Sequence, residues 1–189
     1  PRSTLFPYTT LFRSSTSYNQ DEAEELTIDS INHQGTTTVI TLKEPLKYKH
    51  LAEVQKAEGQ EFEMRAAVGL LSRNIVIQGD ALSQDQQRGC HIKIDSLSRE
   101  HYRYLAKISY AEIRYAGQAH NLGRYPINYH MIGNAPRSLV VGNSIHHTYY
   151  RGLGMRDVHM LKVQKNVIFA TQGHGIFMED GSETENIIE

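Results

Sequence analysis

At 189 residues, with 39% hydrophobic and 22% charged side chains, the chain has the size and composition of one folded domain, not of a disordered segment. Its net charge is −1, with 20 basic residues against 21 acidic, so it lacks the basic excess of a nucleic-acid binder. No apolar run reaches the roughly 18–20 residues of a membrane span, and a single cysteine, Cys90, excludes an internal disulfide.

Residues 4–14, TLFPYTTLFRS, read as the in-frame translation of a sequencing adapter, so residues 1–14 are expected to be a non-native scar. Residues 15–24 are polar and read as a linker. Residues 25–73 are read as a β-rich segment leading into a solenoid. LTIDSI and HQGTTTVITL alternate apolar and polar positions around a turn at Gln34-Gly35, and Pro45 closes the pair. The stretch 46–68 reads as a connecting turn with one further strand.

Residues 74–189 carry the repeat. NIVIQGD places Ile75 and Ile77 on one face, HIKI does the same with Ile92 and Ile94, and ALSQDQQRG between them is a polar loop. AEIRY, NSIHH and NVIFA then align with Ile113, Ile145 and Ile168 at one position, and NIIE places Ile188 there in turn. Such a period falls in the roughly 20–50-residue range of solenoids, where stacked aliphatic positions fill a narrow core and polar residues mark the corners. No window sustains the i, i+3, i+4, i+7 pattern of a long amphipathic helix. The predicted fold is all-β, a right-handed single-stranded parallel β-helix of the pectin-lyase-like kind; a β-sandwich is the rival. The repeat stops at Glu189 just as a new turn begins, so an uncapped edge and aggregation of the isolated fragment are expected.

Three polar clusters are candidates for chemistry. In the first, Arg124, Tyr125, Asn128 and His130 follow one another, with Asn128 and His130 on one face of an extended strand; these suit a sugar, or a His bonded to a corner backbone. The second holds His146, His147, Thr148 and Arg151. Strand geometry sends the two histidines to opposite sides, so at most one joins a given track; the register stacks Arg114, His146 and Phe169, and beside them Tyr115, His147 and Ala170. The third holds His174, Glu179, Asp180 and Glu183. A glycosidase needs two carboxyl groups at a set separation, and Glu179, Asp180 and Glu183 are the candidates with His174 assisting, although Asp180-Gly181 is also an ordinary tight turn. No metal site is assigned, His130 and His174 being the weak candidates for one. Arg103, Arg114, Arg124, Arg151 and Arg156, with the tyrosines, suit a groove for carboxylated sugars or a solvated charged face equally well.

Taken in order, AAVGLLSRNIVIQGD, YAEIRYAGQ, LGRYPINYHMIGN, SIHHTYYRG and GHGIFMEDGSETEN resemble the family of fibrocystin-L, the cell-surface hyaluronidases and the cell-migration-inducing hyaluronan-binding protein. The resemblance runs from Glu25 to Glu189. It implies an extracellular or cell-surface location, a membrane-anchored parent and a β-helix. For the hyaluronidase branch it implies hyaluronan depolymerisation with calcium as a cofactor; for the fibrocystin branch it implies a receptor without an established reaction. Matching positions include Gly123, Arg124, Tyr125, Pro126, His130, His146, Arg151, His174, Glu179, Asp180 and Glu183. Asn128 stands where the family has a histidine, and Gly133-Asn134 and Met155-Arg156-Asp157 also depart from its pattern, which weakens an inherited catalytic role.

The expected function is a cell-surface β-helix module that binds a glycan such as hyaluronan, or an extracellular protein, through Arg124, Tyr125, Asn128, His130, His146 and Arg151. The alternative is a hyaluronan-degrading glycosidase using Glu179, Asp180, Glu183 and His174, and the third reading is a structural spacer.

Overall fold

A computed structural model describes residues 9–96 and 105–189. The chain divides into two compact units, Pro1–Ser72 and Arg73–Glu189.

The first unit is antiparallel. β1 (Thr10–Arg13), β2 (Glu24–Gln34) and β3 (Thr37–Leu42) are followed by β4 (Val54–Ala57), β5 (Gln60–Glu63) and β6 (Val68–Leu70). The sheet runs β3-β2-β1-β6, with β4 and β5 as a separate hairpin. Leu11, Leu26 and Ile28 form its buried core, with Ile31, Ile40 and Leu42 packed against them. β1 lies within the residues read as adapter-derived. It is nevertheless an inner strand, with Leu11 opposite Leu26 on one side and Leu70 on the other. Stretch 46–68 holds the β4–β5 hairpin and the start of β6 where one strand was expected. Its turn residues Glu58 and Gly59 both have positive φ (50° and 77°), the two-residue geometry that matches strand twist.

The second unit is built from stacked parallel sheets. The chain passes through β7 (Ile75–Gln78), β8 (Ile92–Asp95) and β9 (Lys107–Ser109), then β10 (Ala111–Arg114), β11 (Ile127–Asn134) and β12 (Leu139–Val141). It repeats the circuit with β13 (Ser144–Thr148), β14 (Leu153–His159) and β15 (Lys162–Gln164), and again with β16 (Val167–Thr171), β17 (Ile176–Met178) and β18 (Ile187–Ile188). The first sheet is β7-β10-β13-β16, the second β8-β11-β14-β17 and the third β9-β12-β15-β18. The pairing between these strands is parallel, unlike the antiparallel sandwich held as the rival.

The core is made of aligned aliphatic columns. Ile77, Ile113, Ile145 and Ile168 stack on the first sheet, and Ile92, Ile127, Leu153 and Ile176 on the second. Ile188 was expected on the first of these columns. It sits instead on the third sheet, stacked on Val163, Val140 and Ile108, because NIIE falls two strands after NVIFA and not a full circuit later. Burying an aliphatic residue at each rung contributes about 1.5–3 kcal/mol.

One corner is turned by a column of left-handed residues, Tyr115, His147 and Ala170, with φ of 49°, 50° and 50°. A single residue in this region redirects an extended chain sharply, and its steric cost is offset where turns stack. A buried amide ladder supports another corner. Asn143, fully buried, takes Asn166 Oδ1 on its amide at 3.0 Å, and Asn166 Nδ2 donates to Val140 O at 2.8 Å.

Candidate functional site

The outer face of the second sheet carries the polar track. With Ile92 and Ile94 inward, Lys93 and Asp95 point outward, and the same alternation along β11 and β14 exposes His130 and Arg156. Asp95, His130 and Arg156 occupy one register column. Glu179 continues it, its amide donating to Met155 O at 2.8 Å.

This track borders a cavity of about 270 Å³. Among the described residues basic groups dominate its wall: His91, Lys93, Arg124, His130 and Arg156, with Glu179 as the one lining carboxylate and Leu122 and Gly123 completing the rim. Arg124, His130 and Glu179 were candidates from the sequence, and Arg156 belonged to the arginine set. His91 and Lys93 were missed, although the alternation of HIKID already placed them on the outer face.

Ion pairs order the wall. Asp95 Oδ2 lies 2.5 Å from Lys93 Nζ, and Asp95 Oδ1 lies 3.1 Å from His130 Nδ1. The Lys93 ammonium, and then His130, hold the Asp95 carboxyl down at a pKa of about 2. Arg156 Nε reaches Asp180 Oδ2 at 3.3 Å, and its Nη1 lies 3.9 Å from Glu179 Oε1.

Other candidates sit elsewhere. Tyr125 and Asn128 are fully buried rather than exposed to ligand. Asn128 Nδ2 donates to Gly123 O at 2.7 Å and so holds the cavity rim, while its buried Oδ1 has no hydrogen-bond partner among the described residues. The Tyr125 ring packs against Gly154, where a Cβ would come within 2.2 Å of it. Arg151 donates through Nη1 to the Tyr125 hydroxyl at 2.7 Å and packs 3.6 Å from the Phe177 ring centre. His174 is exposed and stacked on Phe177. Glu183 Oε1 accepts from the amides of Asp157 and Asp180, both at 3.3 Å, which gives it a turn-closing role.

His146 belongs to the first sheet, in the column Arg114–His146–Phe169, and not to the cavity track. Its Nε2 lies 3.3 Å from Glu112 Oε1, off the line of a hydrogen bond. Its Nδ1 is 2.8 Å from Nδ1 of His147. The expectation that adjacent histidines diverge fails here because His147 occupies the left-handed corner. Arg114 pairs with Glu112 and Gln78 on that sheet as well, and Arg103 lies outside the described residues.

A family model described as the CEMIP beta-helix matches residues 87–189, more than half of the sequence. The chain belongs to the CEMIP beta-helix family. Fibrocystin-L of Homo sapiens is 33% identical over 210 aligned residues, covering 91% of this chain and 5% of that protein. The cell surface hyaluronidase CEMIP2 of Homo sapiens is 31% identical over 194 residues, covering 93% and 13% respectively. The cell migration-inducing and hyaluronan-binding protein of Mus musculus is 30% identical, covering 97% and 14%. The chain therefore spans a small part of the length of each of these relatives.

Calcium, implied by the resemblance, takes six to eight oxygen ligands. Among the described residues the cavity is lined by one carboxylate and five basic side chains, and no group of three or more His, Cys, Asp or Glu could hold a metal. His130 is engaged by Asp95 and His174 by Phe177. These residues do not fit a calcium site. No helix among the described residues is long and apolar enough to cross a membrane.

Proposed function

We propose that this chain is the β-helix module of a cell-surface protein and that its basic cavity binds an acidic glycan of the hyaluronan type. The observation that carries the reading is the cavity wall, which among the described residues holds five basic side chains, Lys93 and His130 paired with Asp95 and Arg156 with Asp180. A sugar carboxylate entering there meets Arg124 and Arg156, whose planar forks suit bidentate contact. Lys93 and His130, tied to Asp95, keep a fixed orientation and need little reordering on binding. The names of relatives that bind or cleave hyaluronan support the ligand class. The winding is inferred to be right-handed, the hand that connections between parallel strands of one sheet take.

Binding is favoured over hydrolysis by the carboxylates themselves. A glycosidase needs one carboxyl group with a raised pKa as general acid. Among the candidates, Asp180 is paired with Arg156 and Glu183 accepts from the amides of Asp157 and Asp180. The test is to incubate the chain with high-molecular-weight hyaluronan, with and without calcium, and to follow both retention and polymer length. Retention without shortening, lost in Arg124→Ala and Arg156→Ala, is the expected result. Shortening that disappears in Glu179→Gln would instead make the module a hydrolase, and the absence of both retention and shortening would leave a structural spacer.

A further inference from the structure

Phe177 lies on β17, which ends at Met178, and the next residue, Glu179, enters the cavity wall. Phe177 shares a column with Gly154, Asn128 and the cavity residue Lys93. The imidazole of His174 stacks on Phe177 with ring centres 5.3 Å apart and planes 14° from parallel. His174 is exposed, and Gly173 and Gly175 on either side of it raise no side chain next to the ring.

The stack is anchored from below. The Arg151 guanidinium lies 3.6 Å from the Phe177 ring centre, and 5.4 and 5.1 Å from those of Tyr125 and Tyr150. Tyr125 is fully buried and accepts the Arg151 hydrogen bond, so the series from Tyr125 through Arg151 to Phe177 is fixed before any ligand arrives. What it presents is the exposed His174 ring, stacked on Phe177 two residues before the cavity residue Glu179. Such a surface suits the C–H face of a pyranose, which is apolar and planar enough to stack.

We propose that His174, held on Phe177, is a stacking platform for a sugar ring of the same glycan whose acid group enters the cavity; this rests on the acidic-glycan reading above. The cavity supplies charge recognition and the platform supplies ring recognition. Together they select an acidic saccharide over an acidic polymer without rings.

Two probes separate these contributions, namely hyaluronan oligosaccharides and polyacrylate, which carries carboxylates and no sugar. His174→Ala is expected to weaken oligosaccharide binding about fivefold, the scale of one stacked ring. The slope of affinity against salt should not change, because stacking is not screened. Polyacrylate binding should fall in Arg124→Ala and Arg156→Ala but not in His174→Ala. His174→Phe and His174→Trp should keep the oligosaccharide affinity. The chain contains no tryptophan, so His174→Trp also reports occupancy by a shift in emission. Unchanged oligosaccharide affinity in His174→Ala, equal loss of both probes in that variant, or unmoved His174→Trp emission at saturation would each overturn the platform and leave the cavity standing. Oligosaccharide binding that survives both arginine variants would overturn the cavity reading, and the platform with it.

Discussion

Asp95 and His130 pair across adjacent parallel strands, with Asp95 Oδ1 3.1 Å from His130 Nδ1 while the other carboxylate oxygen holds Lys93. One acid thus orients two of the cavity's bases, and the fixed strand spacing sets the distance between them.

The first prediction concerns this acid. Asp95 is held at a pKa of about 2, first by Lys93 and then by His130, against an ordinary value of 3.8. A folded-state pKa below the unfolded one contributes stability that is present above about 4 and lost as pH falls towards 2. The side chain is 40% exposed, so solvent screening holds that contribution to about 1 kcal/mol or less. Carboxyl NMR titration should place the Asp95 midpoint near 2, and Asp95→Asn should destabilise the chain slightly at pH 7. The variant should also bind hyaluronan more tightly at low salt, because the Lys93 ammonium loses its internal counter-charge.

Gly154 gives the second prediction. A Cβ there would lie 2.2 Å from Tyr125 Cδ2 and 2.5 Å from Cε2, and Tyr125 is itself fully buried. Overpacking of this kind costs about 1–3 kcal/mol. Gly154→Ala should lower the urea midpoint accordingly and disturb the Arg151 stack, which weakens oligosaccharide binding as well. Parent-like stability in this variant would mean that Tyr125 is not seated as described.

The column of Ile113, Ile145 and Ile168 was legible in the sequence because a narrow core demands an aliphatic residue at each rung. The position of Ile188 was not, since a circuit of three unequal strands has no fixed period and spacing alone cannot say which sheet a match belongs to. The outward set Lys93, His130 and Arg156 follows from strand alternation, so that part of the cavity wall was readable in principle. The burial of Tyr125 was not readable, because it depends on a glycine one turn away. Nor was the His146–His147 contact, which depends on the backbone angle at His147.

The third prediction tests the amide ladder. Asn143 Oδ1 accepts from the Ala111 amide at 3.1 Å, and its Nδ2 donates to Ile108 O at 2.9 Å and to Asn166 Oδ1 at 3.0 Å. Asn143→Ala leaves the Ala111 amide and the Ile108 carbonyl without this partner, at about 1–3 kcal/mol for each buried group. Asn143→Asp should cost more at pH 7, because it removes the donor and sets an anion against two acceptor oxygens. Unfolding of the two variants at pH 7 and pH 4 checks this, and the aspartate variant should recover stability on acidification while the alanine variant does not.

Glu112 gives the last prediction. It is 3% exposed, accepts from the Arg73 amide at 2.9 Å, and has Arg114 Nη1 at 3.1 Å and His146 Nε2 at 3.3 Å. Burial pushes its pKa up, but His146, the Arg73 amide and the Arg114 charge outweigh that and leave it below the ordinary 4.5. Its contribution to stability is therefore complete above 4.5 and is lost as pH falls through the lower folded value. Glu112→Gln keeps the shape and one acceptor for the Arg73 amide, so its effect reports the charge. Removing one partner of a buried pair should cost about 3 kcal/mol at pH 7. Urea unfolding at pH 7, 5 and 4 should show the gap between parent and variant narrowing at the acid end, as the parent's carboxylate begins to take up its proton. A gap that widened on acidification would mean that the carboxylate is held as the neutral acid in the folded chain, with its pKa raised by burial instead of lowered by its neighbours.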